Sequence, residues 1–448
     1  MVHEALRTLV EALEVVRPAF TRPGFANLVV VFAGWALTSG PHAVTQALVT
    51  TGVAGRRHHE AFHRFFSRGT WDPDEVGRLL FGWIARHLRE GAAIRVALDD
   101  TLATKKGPHV FGIGSHLDAV RSTRRQKIFA FGHCWVVLAV LLPVPFSSRN
   151  FALPVLFRLY RTVKSCERAG QPHRKKTELA RELLDVFAAW AGARRVELAA
   201  DSAYCNDTIT RGLPSNFVLF GAMRPDAVLT ALPAARSRKP GRPSRRGRPV
   251  AKPEAIAKDG RRPWLSCQAT LYGVRRTVRF KSVDAQWYRA CGVGLLRLVL
   301  VKVDDGAIGM RVFFCTDATV AIPLILETYA GRWAIEVCFR DLKQLLGFGD
   351  SSARKRAAVE RTAPFVGLVY TTLVLWFAEG IYRTRIAVPP LRPWYRHKQW
   401  LCFADILRAA QRALTPLDVL DPRRSLANLR KLRLPRAWPL ESPPRLAA

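Results

Sequence analysis

Acid is what this 448-residue chain has too little of: 35 Asp and Glu stand against 70 Lys and Arg, a net charge of 70 − 35 = +35. A compact monomer with that excess repels itself and calls for a polyanionic partner. Nucleic acid meets the need, because each phosphate neutralised releases condensed counterions. Among the 8 Cys no two sit at CxxC spacing. That excludes a zinc ribbon or a disulfide framework and leaves reduced, mostly buried thiols. No apolar run reaches the ~20 residues of a spanning helix. Residues 128–142 carry His133, expected in the core beside Trp135, and end in Pro-Val-Pro; they read as a buried strand, and residues 364–378 as a buried helix. The N-terminus carries Glu4, Glu11 and Glu14 and lacks a signal peptide's apolar core. No membrane partner is therefore expected, and the location is cytoplasmic. A phosphate-cradling Gly loop and a Ser/His/Asp elbow are also missing, since Gly112-Ile113-Gly114 is too short to count. Nucleotide-loop and serine-hydrolase chemistries fall away.

What is present is ample material for a core: hydrophobic residues make up 49%, with 12 Trp and 24 Phe. Apolar spacing predicts helices over 1–92, with a basic stretch at 55–71 ahead of Phe62, Phe65 and Phe66. Either that stretch enters a DNA groove or it is a solvated helix packed by its phenylalanines. From 93 to 222, β-rich runs at 94–100, 131–142, 195–201 and 216–223 alternate with an amphipathic helix at 175–193, the pattern of a mixed α/β sheet. Residues 223–316 add further strands and an extended loop, 236–262, that holds eleven Lys or Arg against Glu254 and Asp259. Helices resume over 317–385, and 386–448 is a helical region with a basic, Pro-rich tail.

Three acids stand out by position. Asp100 closes one strand-like run, Asp201 closes another, and Glu336 lies on a helix. Functional groups gather at the carboxyl ends of strands in such sheets, and oxygen donors on rigid elements suit hard divalent cations. On a helix over 329–343, Tyr329, Arg332, Glu336 and Lys343 fall within a stripe about 60° wide beside an apolar face. An Arg332–Glu336 ion pair within the helix is the plain alternative.

The pattern Tyr329-x2-Arg332-x3-Glu336-x6-Lys343 resembles the Tyr-Arg-Glu-Lys signature of bacterial insertion-sequence transposases with an Asp-Asp-Glu triad. LDDTLATKKG at 98–107 and AADSAY at 199–204 resemble their two acidic motifs. The resemblance implies an RNase H-like mixed sheet flanked by helices, interrupted by a β-strand insertion domain and preceded by a helical N-terminal domain. It implies that Asp100, Asp201 and Glu336 hold two Mg²⁺ (or Mn²⁺) ions. Asp100 is taken over Asp99 because the family's acid directly precedes Thr. Adjacent strand residues face opposite ways, so one site takes only one of them, and Asp99 stays the competitor. Tyr329, Arg332 and Lys343 would contact phosphates, with Lys105 and Lys106 helping to hold the strand. The place near Val312 and Phe313 lacks the Trp with which some relatives stack a flipped base; Trp264 and Trp287 lie elsewhere in the insertion.

In the basic loop, Arg242 and Arg248 sit in two Gly-Arg-Pro units with Arg246 beside the second, read as phosphate-binding or minor-groove strands. The function expected is that of a transposase which binds terminal inverted repeats of double-stranded DNA, cleaves the ends and transfers strands, as a homodimer on the bacterial nucleoid. A metal-dependent nuclease without strand transfer and a non-catalytic DNA-binding derivative are the alternatives.

Overall fold

A computed structural model describes residues 2–107, 109–118, 120–123, 125–233, 244–302, 310–390 and 398–415. Five helices come first: α1 (Val2–Glu14), α2 (Arg22–Leu37), α3 (Val44–Thr50), α4 (Glu60–Ser67) and α5 (Pro73–Ala85). Their starts follow local chemistry. Thr21 accepts from the Gly24 amide at 3.2 Å with Pro23 in the first turn, and Asp72 accepts from the Asp74 amide at 3.1 Å ahead of Pro73.

The sheet begins with β1 (Ile94–Thr104), β2 (Gly114–Leu117), β3 (Phe129–Leu142) and β4 (Phe151–Tyr160). Helices α6 (Val163–Arg168) and α7 (Lys176–Ala191) lead to β5 (Val196–Ala200), and α8 (Asp207–Thr210) to β6 (Phe217–Met223). Strands β1, β5 and β6 run parallel, whereas β3 is antiparallel to β1 and β4 to β3. The resulting order is β4-β3-β1-β5-β6, with β2 also paired to β3. All eleven residues of β3 from Gly132 onward are buried, as a strand covered on both faces requires. Helix α7 packs on β3 and β4.

The chain then adds β7 (Leu229–Thr230), β8 (Pro249–Val250), α9 (Pro253–Lys258), β9 (Leu265–Leu271), β10 (Val274–Gln286), α10 (Tyr288–Cys291), β11 (Leu295–Lys302) and β12 (Arg311–Cys315). Strand β12 docks antiparallel on β6, so these strands lengthen the same sheet to twelve among the described residues. Tyr272 and Gly273 both adopt positive φ (54° and 81°) and close the two-residue β9–β10 hairpin, as a primed turn demands.

Helices α11 (Ile322–Gly331), α12 (Trp333–Leu345), α13 (Arg356–Ala378) and α14 (Phe403–Leu414) follow among the described residues. Helix α12 lies on β1 and β4, and α13 lies on β4 and against α1, α4 and α5. The first five helices thereby share one hydrophobic core with the sheet. Helix α13 is the one described helix long and apolar enough to cross a membrane, and it is buried in that core.

Three expectations need correction. Residues 236–262 are not an extended loop throughout, because β8 and α9 form within them and Pro253 and Ile256 are buried. The single helix over 329–343 is two helices, because Arg332 breaks it; its amide turns to the Tyr329 carbonyl at 3.1 Å, an i−3 bond after the poor helix former Gly331. And β1 does not stop at Asp100. It continues to Thr104 because β3 extends with it, pairing Thr104 with Gly132.

Candidate active site

The parallel part of β1 ends where β5 ends, with Leu98 opposite Ala200. The next residues, Asp99 and Asp201, therefore emerge side by side on one face of the sheet. Helix α12 covers that face and carries Glu336 in its first turn. Arg332, in the break before α12, closes the group: Nη1 donates to Asp99 Oδ2 at 2.6 Å and Nη2 to Glu336 Oε1 at 2.8 Å. Burial opposes the Arg332 charge, but Asp99, Tyr329, Glu336 and Asp201 outweigh it and raise its pKa. Its Nε is buried without a hydrogen-bond partner. The Tyr329 ring sits 5.7 Å from the guanidinium and packs on Phe313 at 4.6 Å.

Burial pushes the Asp99 carboxyl up to about 7, against the pull of Arg332; the charges of Asp100 and Asp201 add to the push. Arg332 is the cation that the structure places on both Asp99 and Glu336. No three acid, His or Cys side chains among the described residues are close enough, as placed, to enclose a metal ion.

Of the residues expected from the sequence, Asp201, Glu336, Arg332 and Tyr329 come together here. Asp100 faces the other side of β1. Its carboxylate takes Lys176 Nζ at 2.5 Å, the Tyr204 hydroxyl at 2.7 Å and Cys134 Sγ at 3.3 Å. Lys343 lies two turns beyond Glu336 at the exposed end of α12, where burial of part of its stem lowers its pKa against the pull of Asp118. Lys105 is tied to the Gly349 and Ser351 carbonyls, whereas Lys106 is exposed. Arg246 is exposed and stacks on Tyr288 at 4.1 Å; Arg248 is exposed as well. Arg242 lies outside the described residues.

Other sequence features find structural roles. Trp264 lies between Lys281 and Lys302, 5.1 and 5.0 Å from its ring, and Trp287 packs on Phe314. His133 is buried next to Trp135 and bonded to the Phe111 carbonyl at 2.9 Å. The partners Lys176, Tyr204 and Cys134 escaped the sequence reading. Tyr204 stood inside the AADSAY motif, where a phenol three residues after an acid was the available signal.

Residues 17–290 match the sequence model of a family described as DDE superfamily endonuclease. The match covers more than half of the chain and ends before Glu336, so that residue stands on geometry. No curated protein matches the chain.

Proposed function

The chain belongs to the DDE superfamily of endonucleases, and from that premise we propose that it is a DNA transposase whose metal-binding acids are Asp99, Asp201 and Glu336. The family supports a transposase or nuclease acting on DNA. The observation that carries the choice of residues is Arg332, which bridges Asp99 and Glu336 with two short bonds beside Asp201. The same face of β1 thus collects acids from a strand, a strand end and a helix, and Asp99 takes the place first given to Asp100. The strand order β4-β3-β1-β5-β6, with strands appended at β6, supports the RNase H-like core with a β-strand insertion.

An all-oxygen set of carboxylate donors suits hard divalent cations. Two Mg²⁺ or Mn²⁺ ions bound there would provide the Lewis acidity that activates a water or 3′-hydroxyl and stabilises the leaving oxygen. Arg332, once released from the acids, turns its five donors to the scissile phosphate. Tyr329 holds the guanidinium on its ring. Exposed Lys106, Arg246 and Arg248 neutralise flanking phosphates. Substrates are the terminal inverted repeats of double-stranded DNA, paired by a homodimer.

The test is cleavage and strand transfer on linear duplexes carrying the element's paired ends, with Mg²⁺ or Mn²⁺. Wild type is expected to nick and then join; Asp99→Ala, Asp201→Ala and Glu336→Ala are expected to bind DNA without cutting it. Nicking without joining, under all pairings, would identify a nuclease instead. Undiminished nicking by Asp99→Ala and Glu336→Ala would refute the assignment of the acids.

A further inference from the structure

Asp100 is a half-buried acid that the proposed reaction does not consume. Its neighbour Asp99 faces Arg332, whereas Asp100 points to the opposite face of β1, with about a quarter of its side chain exposed. Three elements meet at its carboxylate. Lys176, the first residue of α7, donates at 2.5 Å; Cys134 of β3 donates at 3.3 Å; and Tyr204 donates at 2.7 Å. Tyr204 is fully buried, and its amide bonds back to the Asp201 carbonyl at 2.9 Å, closing the turn that follows β5. The Tyr204 hydroxyl therefore ties the strand bearing Asp99 to the turn bearing Asp201.

From this geometry we infer that Asp100, with Tyr204 and Lys176, is a positioning residue: it cross-links β1 to the turn after β5 and so fixes the spacing of Asp99 and Asp201. The inference rests on the reading of Asp99 and Asp201 as metal-binding acids. Its physical basis is general. Two carboxylates that repel one another across neighbouring strands hold a fixed separation only if their backbones are fastened from elsewhere. A charged, three-donor bond on the far face does that without competing for the cation.

Two readouts separate the possibilities: Mn²⁺ binding followed by electron paramagnetic resonance, and Mn²⁺-dependent nicking of supercoiled plasmid as a function of metal concentration. Circular dichroism and thermal unfolding verify the fold of each variant. Tyr204→Phe, which removes one hydroxyl, is expected to weaken Mn²⁺ binding roughly 10-fold, and Asp100→Asn up to about 100-fold, the range typical for partners behind a metal ligand. At saturating Mn²⁺ both are expected to nick within a few-fold of wild type. Lys176→Met should resemble Tyr204→Phe, and Lys176→Arg should recover part of the loss. Adding Tyr204→Phe to Asp100→Ala should cost nothing more, because alanine leaves the hydroxyl no acceptor on β1. The inference is overturned if Tyr204→Phe and Lys176→Met bind Mn²⁺ as wild type does. It is also overturned if Asp100→Asn loses Mn²⁺ and nicking at every concentration while those two variants keep both, since Asp100 would then be a ligand itself. If Asp99→Ala binds Mn²⁺ and nicks normally, the reading beneath the inference fails, and the inference with it.

Discussion

Arg332 donates to Asp99 at 2.6 Å although 233 positions separate them in sequence. The same guanidinium holds Glu336, so its removal leaves two carboxylates facing each other near Asp201. Arg332 also pulls the Asp99 pKa down toward its value of about 7, so losing it raises that pKa further and leaves the site with two acids and no cation. Arg332→Gln is expected to lower the stability of the metal-free protein by about 3 kcal/mol, the cost of stripping one partner from a buried pair. Calcium ions should restore much of that loss, and should stabilise the variant more than wild type. Thermal unfolding in chelator and in calcium reads this directly; equal calcium responses would count against a cation site at these acids.

Lys105 and Lys106 are neighbours with different employment. Lys105 donates to the Gly349 and Ser351 carbonyls, and Lys106 is exposed. Lys106→Ala should reduce the slope of log affinity against log salt by about one unit for a duplex. Lys105→Ala should leave that slope alone and lower stability by about 1–2 kcal/mol as two carbonyls lose their donor. Fluorescence anisotropy across a salt series, with urea unfolding beside it, checks both halves. Equal loss of slope in the two variants would contradict the division.

Much of this arrangement was legible from local pattern. The Glu336 helix, the acid after β5 and the strands beyond residue 223 each announce themselves within about ten residues. What local pattern could not supply was the face. Alternation says that Asp99 and Asp100 point opposite ways, but which of them meets Glu336 depends on which side of the sheet α12 packs, a contact made across more than 200 residues. Strand β4 was missed for a physical reason. Pro154 interrupts its apolar run and argues against a central strand. The structure accommodates it on the outer side of β3 at a register shift, where Leu138 pairs Leu156 and Ala139 pairs Pro154.

His133 makes stability pH-dependent with a definite sign. Burial lowers its pKa from 6.5 to about 4, against the bond to the Phe111 carbonyl. Between those values the unfolded chain takes up a proton that the native protein refuses. The contribution is complete above pH 6.5 and is lost as pH falls toward 4, by roughly 3 kcal/mol over the whole window. Between about pH 7 and pH 5, wild type should lose roughly 2 kcal/mol more than His133→Gln in urea unfolding. Parallel pH profiles would show that another group governs the acid limb.

Helix α5 carries two glycines that should respond in opposite directions to the same substitution. At Gly77 an added Cβ would lie 2.0 Å from the Val155 carbonyl oxygen, where α5 crosses β4 beside the shifted register; at Gly82, exposed on the same helix, it would meet nothing within 4 Å. Helix propensity alone favours alanine at both sites by up to about 1 kcal/mol. Gly82→Ala should therefore stabilise by roughly 0.5–1 kcal/mol. Gly77→Ala must move a backbone carbonyl of the sheet, and overpacking of that kind outweighs the propensity gain, for a net loss of about 1–3 kcal/mol. Urea midpoints measured side by side decide it: if both variants shift the same way, α5 does not rest on β4 as closely as the Gly77–Val155 approach requires.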